Sequence, residues 1–397
     1  MAKLSVQDID LKGKRAFVRI DFNVPFKDGV IGDDTRIQAA IPTITYALTH
    51  GATVILASHF GRPKGKVVPE LSLRPIGEHL ARLVGRTVTF ATDCIGPAAA
   101  AAVKQAQADG NNLVLLENLR FHPEESANDP EFARQLAALA DVYVDDAFGV
   151  THRAHASVAA ITKFLQPAVA GMQLEEELRY LGKALESPER PFVTIVGGAK
   201  VSDKLGVVEN LLHRADRVLI GGAMAYTFLK ARNVPVGRSL VEKDWLEPAR
   251  AIMRYADGVG IRFELPVDHV VTDRIEAGAP HETLFIGDTA IDDRMGVDIG
   301  SATVKIYGAL LADAKTVVWN GPMGVFEIDD FAAGTTGIAK AVANVKGTTI
   351  IGGGDSVAAV KKAGVADRIT HISVGGGASL DYLGGRRLPG VEALTNR

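Results

Sequence analysis

The residues most able to do chemistry stand just after short apolar runs. In the first half of the 397-residue sequence, Asp21 and Asn23 follow one run, His59 and Arg62 a second, and Asn118 and Arg120 a third. A fourth run leads through Asp146 and Phe148 towards His152 and Arg153, and Arg36 opens the helix after the first loop. Guanidinium forks pair bidentately with carboxylate and phosphate oxygens, so arginines converging on one sheet edge make an anion pocket. A single arginine after a strand is ordinarily a solvated surface charge. Four at corresponding places are read as a site. His152 and His155 stand three apart without a third ligand nearby, which points to hydrogen bonding rather than metal.

The second half ends its runs differently. Gly197-Gly198, Gly221-Gly222, Gly352 to Gly354 and Gly375 to Gly377 each follow an apolar run. Glycine lets backbone N–H groups approach phosphates closely, and a helix starting just afterwards adds its positive end. Lys200 and Lys204 stand four apart, a spacing that would put both on one face of a starting helix. This half suits a nucleotide, although neither familiar phosphate motif is present. Gly61 to Val67 has the wrong spacing for GxxxxGK[ST] and ends in valine, and no GxGxxG follows the first strand.

The elements that position these residues alternate along the chain. Runs at Ala16 to Ile20, Thr53 to Ala57, Thr87 to Phe90, Leu113 to Leu116 and Val142 to Val144 read as strands separated by helical stretches. The habit repeats at Phe192 to Val196, Arg217 to Ile220, Arg262 to Leu265, Thr316 to Trp319, Thr348 to Ile351 and His371 to Val374. The expected fold is α/β, with two Rossmann-like three-layer domains and mainly parallel sheets. Leu174, Leu178, Leu181 and Leu185 give a helical stripe before Pro188, so residues 171–186 are the expected interdomain helix. It separates domains at residues 1–170 and 187–380, leaving a tail at 381–397 that returns to the first domain.

Composition narrows the class. Hydrophobic residues are 47% and charged residues 23%, enough apolar material for two cores and too much for a disordered chain. Lys and Arg number 44 against 47 Asp and Glu, so the net charge of -3 gives no global bias towards nucleic acid or acidic membranes. The single cysteine, Cys94, excludes an internal disulfide and suggests neither a cysteine-rich metal site nor an oxidising compartment. Met1 to Arg15 lacks the apolar stretch of an export signal, and the cytoplasm is the default expectation.

Taken together, the motifs resemble phosphoglycerate kinases over essentially the whole chain. The resemblance is carried by Arg19-Ile20-Asp21-Phe22-Asn23-Val24-Pro25, Ser58-His59-Phe60-Gly61-Arg62-Pro63, Glu117-Asn118-Leu119-Arg120-Phe121 and Asp146-Ala147-Phe148-Gly149 with His152-Arg153-Ala154-His155. Gly197-Gly198-Ala199-Lys200, Trp319-Asn320-Gly321-Pro322, Gly352-Gly353-Gly354-Asp355-Ser356 and Gly375-Gly376-Gly377 continue it in the second half. Glu176, Gly384 and Arg386 depart from the usual pattern.

The resemblance implies reversible phosphoryl transfer between 1,3-bisphosphoglycerate and ADP, giving 3-phosphoglycerate and ATP, with Mg²⁺ accompanying the nucleotide and domains closing on both substrates. It implies a phosphoglycerate site of Asp21, Phe22, Asn23, Arg36, His59, Phe60, Gly61, Arg62, Arg120 and Arg153. Lys204, Gly296, Glu327, Gly353, Gly354, Asp355 and Ser356 would bind nucleotide, with Asp355 on the metal. Arg36, Lys200 and Gly376 would be catalytic. A monomer is implied, with no nucleic-acid or membrane partner. Two other readings fit less well. A nicotinamide-dependent dehydrogenase needs the absent GxGxxG turn, and a two-domain binding protein would carry an export signal and no lysine aimed at a nucleotide.

Overall fold

The computed structural model describes residues 2–27 and 29–397. The chain divides into two compact units, one of Met1–Arg179 with Arg387–Arg397 and the other of Tyr180–Arg386. Each is built on a six-stranded, wholly parallel sheet. In the first, the strands lie in the order Thr89–Phe90, Leu113–Leu115, Thr53–Ala57, Arg15–Arg19, Val142–Asp145, Ala168–Ala170. In the second the order is Arg262–Glu264, Arg217–Ile220, Phe192–Val196, Thr316–Asn320, Thr348–Gly352, His371–Ile372. Every residue of Thr53–Ala57, Phe192–Val196 and Thr316–Asn320 is buried. Continuous burial means that both faces are covered, which parallel strands with crossover helices require.

Both sheets have the same switch in direction. The chain starts near the middle of each, builds outward on one side, then returns to build on the other. In the first unit the switch lies between Arg15–Arg19 and Val142–Asp145, and in the second between Phe192–Val196 and Thr316–Asn320. Crossovers leave such a point in opposite directions and open a crevice beyond the carboxyl ends of the strands.

Some elements are not evident in the apolar runs. Ala168–Ala170 adds a sixth strand to the first sheet, and Phe26–Lys27 with Val30–Ile31 forms a small hairpin. The second unit carries an antiparallel sheet of Asp268–Thr272, His281–Phe285 and Met295–Ile299. Four of the five residues of His281–Phe285 are exposed, so an apolar pattern could not reveal it. The helix expected at 171–186 runs from Met172 to Glu186. At the C-terminus, Leu4 N–H donates to the Thr395 carbonyl and Thr395 N–H to that of Ala168, pairing the tail with the first unit. Among the described residues no helix is long and apolar enough to cross a membrane.

Ile195 is fully buried in the same core cluster as Trp319, its partner on the neighbouring strand. Ile195→Ala should cost about 2–5 kcal/mol. Urea unfolding followed by tryptophan fluorescence checks this, because both tryptophans, Trp245 and Trp319, lie in the second unit. An unchanged midpoint would contradict the packing described.

Candidate active site

At the switch point of the first sheet, Arg19 ends a strand and is fully buried. A guanidinium there must find partners. It donates to the Ile20 carbonyl, to Ser157 Oγ at 3.0 Å and to His59 Nδ1 at 3.2 Å. Ser157 Oγ donates to Glu125 Oε1 at 2.6 Å, so a buried carboxylate stands one hydroxyl away. Arginine has no acceptor, so His59 Nδ1 must accept and its proton sits on Nε2. Burial, then the charges of Arg19, Arg120, His155 and Arg36, hold His59 well below its ordinary range and keep it neutral. His155 is lowered to about 4 by burial and then by Arg120, Arg19 and Arg153.

Around this buried charge the loops interlock. Arg36 donates to Asp21 Oδ2 at 3.0 Å and to the Asn23 carbonyl at 3.1 Å. Gly61 N–H donates to Asn23 Oδ1 at 2.9 Å, while its carbonyl accepts from Arg120 Nη1 at 2.9 Å. One peptide thus joins three of the loops. Gly61 has φ +62°, a conformation that favours glycine, and a Cβ there would lie 2.7 Å from the Leu71 side chain, which would have to shift. Burial, then Arg19 and Arg153, lower Arg120 to about 10. Cations this crowded favour an arriving anion.

In the second unit the switch point is occupied by Lys204. Its ammonium donates to the Gly197 carbonyl at 2.7 Å and to that of Asn320 at 3.2 Å, at the carboxyl ends of the two strands that flank the switch. Burial lowers it to about 8, against the pull of Asp355 and Asp203. Gly321, at φ +97°, lets the loop pass; a Cβ there would lie 2.2 Å from both the Gly197 oxygen and Lys204 Nζ. A cavity of about 290 Å³ opens beside it, lined by Gly222, Tyr226, Gly296, Glu327 and Asp355 among others. The helix Gly354–Lys362 starts at this edge behind Gly353, which has φ +91°. The first N–H groups of a helix lack intrahelical partners and suit phosphate oxygens.

The comparisons with known proteins decide the family. The phosphoglycerate kinase family model matches residues 6–386. The chain belongs to the phosphoglycerate kinase family. It is 56% identical to the phosphoglycerate kinase of Acidobacterium capsulatum over 407 residues, and 56% identical to that of Moorella thermoacetica over 400, in each case covering 100% of both chains. The solved phosphoglycerate kinase of Coxiella burnetii superposes with a TM-score of 0.88 at 38% identity, over 99% of each chain. That of Pyrococcus horikoshii OT3 gives 0.85 at 33% identity, over 98% of each.

The residues that the resemblance to phosphoglycerate kinases implied fall into distinct settings. Asp21, Asn23, Arg36, His59, Gly61 and Arg120 share the network above, with Arg62 and Arg153 exposed beside it. Phe22 and Phe60 give their side chains to the core. Lys200 and Lys204 do not share a helical face, because the helix begins only at Leu205; Lys200 is exposed while Lys204 is held inward. Asp355 does not cap its helix, a place taken by Gly353, and is exposed on the first turn. Ser356 is buried, with Oγ accepting from Gly321 N–H at 2.6 Å. Gly376 has φ +53° and precedes the helix Gly377–Leu383.

Arg19, Glu125 and Ser157 were not singled out from the sequence. The available signal was an arginine inside an apolar run, which burial forces to be paired. Asp146 has a role the motif did not suggest: its Oδ1 accepts from Gln173 and Leu174 N–H at 2.8 and 3.2 Å, tying down the start of helix Met172–Glu186. Burial pushes its carboxyl up to about 7, with hydrogen bonds from Thr43, Leu174 and Gln173 opposing. Because the folded value lies above the ordinary 3.8, the stability it contributes is lost as pH rises from about 4 to about 7. Asp146→Asn should therefore gain stability relative to the unmodified chain between about pH 4 and pH 7, as read by urea unfolding. A difference independent of pH would contradict this.

Proposed function

We propose that the chain transfers a phosphoryl group reversibly between 1,3-bisphosphoglycerate and ADP, with the acceptor held by the first unit and the nucleotide by the second. The observation that carries this reading is the contrast between the two switch points. One is ringed by arginines and a neutral histidine, the other by glycine turns, a lysine and three acidic residues, Asp298, Glu327 and Asp355.

In this reading Arg62, Arg120 and Arg153 surround the phosphate that is not transferred, with His59 offering its Nε2 proton. Asp21 and Asn23 take the hydroxyl side of the acceptor, and Arg36, steadied by both, reaches the reacting carboxyl. A carboxylate acceptor is ionised at neutral pH, so no general base is needed. Catalysis is then alignment and charge stabilisation. Lys200 lies over the phosphoryl group in flight, and the Gly376 N–H offers a further donor. Lys204 and the N–H groups of Gly353 to Ser356 receive the phosphates, Gly296 borders the base and Glu327 the ribose. Asp355, exposed at the cavity near Lys204, suits the Mg²⁺ that enters with the nucleotide and would neutralise phosphate charge. Transfer requires reacting atoms about 3–3.5 Å apart, so ligands on separate units must be brought together by closure, which also expels water. We place this activity in the cytoplasm and in a monomer, on the family resemblance.

The test is a paired substitution. Lys200→Ala should lower kcat by roughly 10² to 10³ with a much smaller change in KM for ATP. Arg62→Ala should raise KM for 3-phosphoglycerate and spare that for ATP. Equal effects of either change on both substrates, in a coupled assay run towards 1,3-bisphosphoglycerate, would contradict the division of roles.

A further inference from the structure

We propose that Asp93, Cys94 and His122 form a site for a thiophilic divalent cation such as Zn²⁺, separate from the Mg²⁺ that accompanies the nucleotide. One ligand atom from each residue lies within 4.8 Å of the others. Asp93 and Cys94 occupy the turn between Thr89–Phe90 and helix Gly96–Ala108, and His122 follows Leu113–Leu115 through the turn Leu119–Phe121. Those strands are neighbours at the edge of the first sheet, so their carboxyl ends deliver the three side chains to one place.

The geometry is partly assembled. His122 Nε2 stands 2.7 Å from Asp93 Oδ1, which also accepts from Cys94 N–H at 2.6 Å. The His122 ring leans on the buried Phe132 at 5.3 Å between centroids, and Cys94 is fully buried. Asp93 and His122 are partly exposed, giving an ion a way in. Zinc takes sulfur at about 2.3 Å and nitrogen or oxygen at about 2.0–2.2 Å, so tetrahedral donors sit about 3.3–3.8 Å apart. The His122–Asp93 pair must open slightly and Cys94 Sγ move in. On binding, the thiol proton goes to solvent and the imidazole proton moves from Nε2 to Nδ1. A thiolate, an imidazole and a carboxylate select Zn²⁺ or Co²⁺ over Mg²⁺, and leave a fourth position for water.

The full chain, freed of metal by chelator and kept reduced, tests the proposal. Zn²⁺ titrated against a chromophoric chelator should fill one site per chain, and excess Mg²⁺ should not displace it. Co²⁺ should give a thiolate-to-metal charge-transfer band in the near ultraviolet, which Cys94→Ser abolishes. Cys94→Ser and His122→Asn should each weaken Zn²⁺ at least about ten-fold. Absence of the band in the unmodified chain, or unchanged affinity in the variants, overturns the proposal. Should Cys94→Ser fail to fold by circular dichroism, His122→Asn decides alone, and undiminished Zn²⁺ affinity there is the overturning result.

Discussion

A cation held inward at the switch point of each parallel sheet, Arg19 fully buried and Lys204 half-buried, is the constraint on which the rest of the structure depends. Lys204 clamps the carboxyl ends of two paired strands, whose crossovers leave in opposite directions, by bonding the Gly197 and Asn320 carbonyls. Arg19 does the corresponding work through the Ile20 carbonyl, Ser157 and His59. Taking such charges out of water is expensive unless they are well bonded. In both places the direct hydrogen-bond partners are neutral groups, with carboxylates further off. The cation therefore holds its loops and still leaves positive potential for an anion.

This arrangement accounts for the protonation states around it. His59 and His155 are buried among arginines and stay neutral, so they add hydrogen bonds without adding charge. Arg120, though lowered to about 10, remains charged at neutral pH. On the proposed reading the two units meet their ligands by different means, guanidinium forks in one and glycine turns with a helix start in the other. Burial raises Asp146 in the first unit and Asp298 in the wall of the second unit's cavity to about 7, but phosphoryl transfer to an ionised carboxylate needs neither to move a proton.

Much of this was legible in the sequence because buried parallel strands are continuous apolar runs, and runs such as Thr53–Ala57 and Phe192–Val196 coincide with the observed strands. What escaped had a physical reason. The antiparallel sheet that supplies His269 and Gly296 to the cavity turns polar residues outward, and Ala168–Ala170 is only three residues long. The four-residue spacing of Lys200 and Lys204 implied a shared helical face, but the intervening residues form turns and the helix starts one residue later. Arg19 was hidden by its own burial, since an apolar run is scored by its neighbours. Asp146 was visible as an acid near a loop, yet its bond to residues 27 and 28 positions away could come only from the fold.

The central claim is that acceptor and nucleotide are held by different units, each at its own switch point. Hydrogen–deuterium exchange on the full chain, with 3-phosphoglycerate or MgADP added singly, tests it most directly. The account predicts that 3-phosphoglycerate slows exchange in peptides spanning 58–62 and 118–122 while leaving 353–357 unaffected, and that MgADP does the reverse. Protection of 353–357 by 3-phosphoglycerate alone, with none at 58–62, would contradict it.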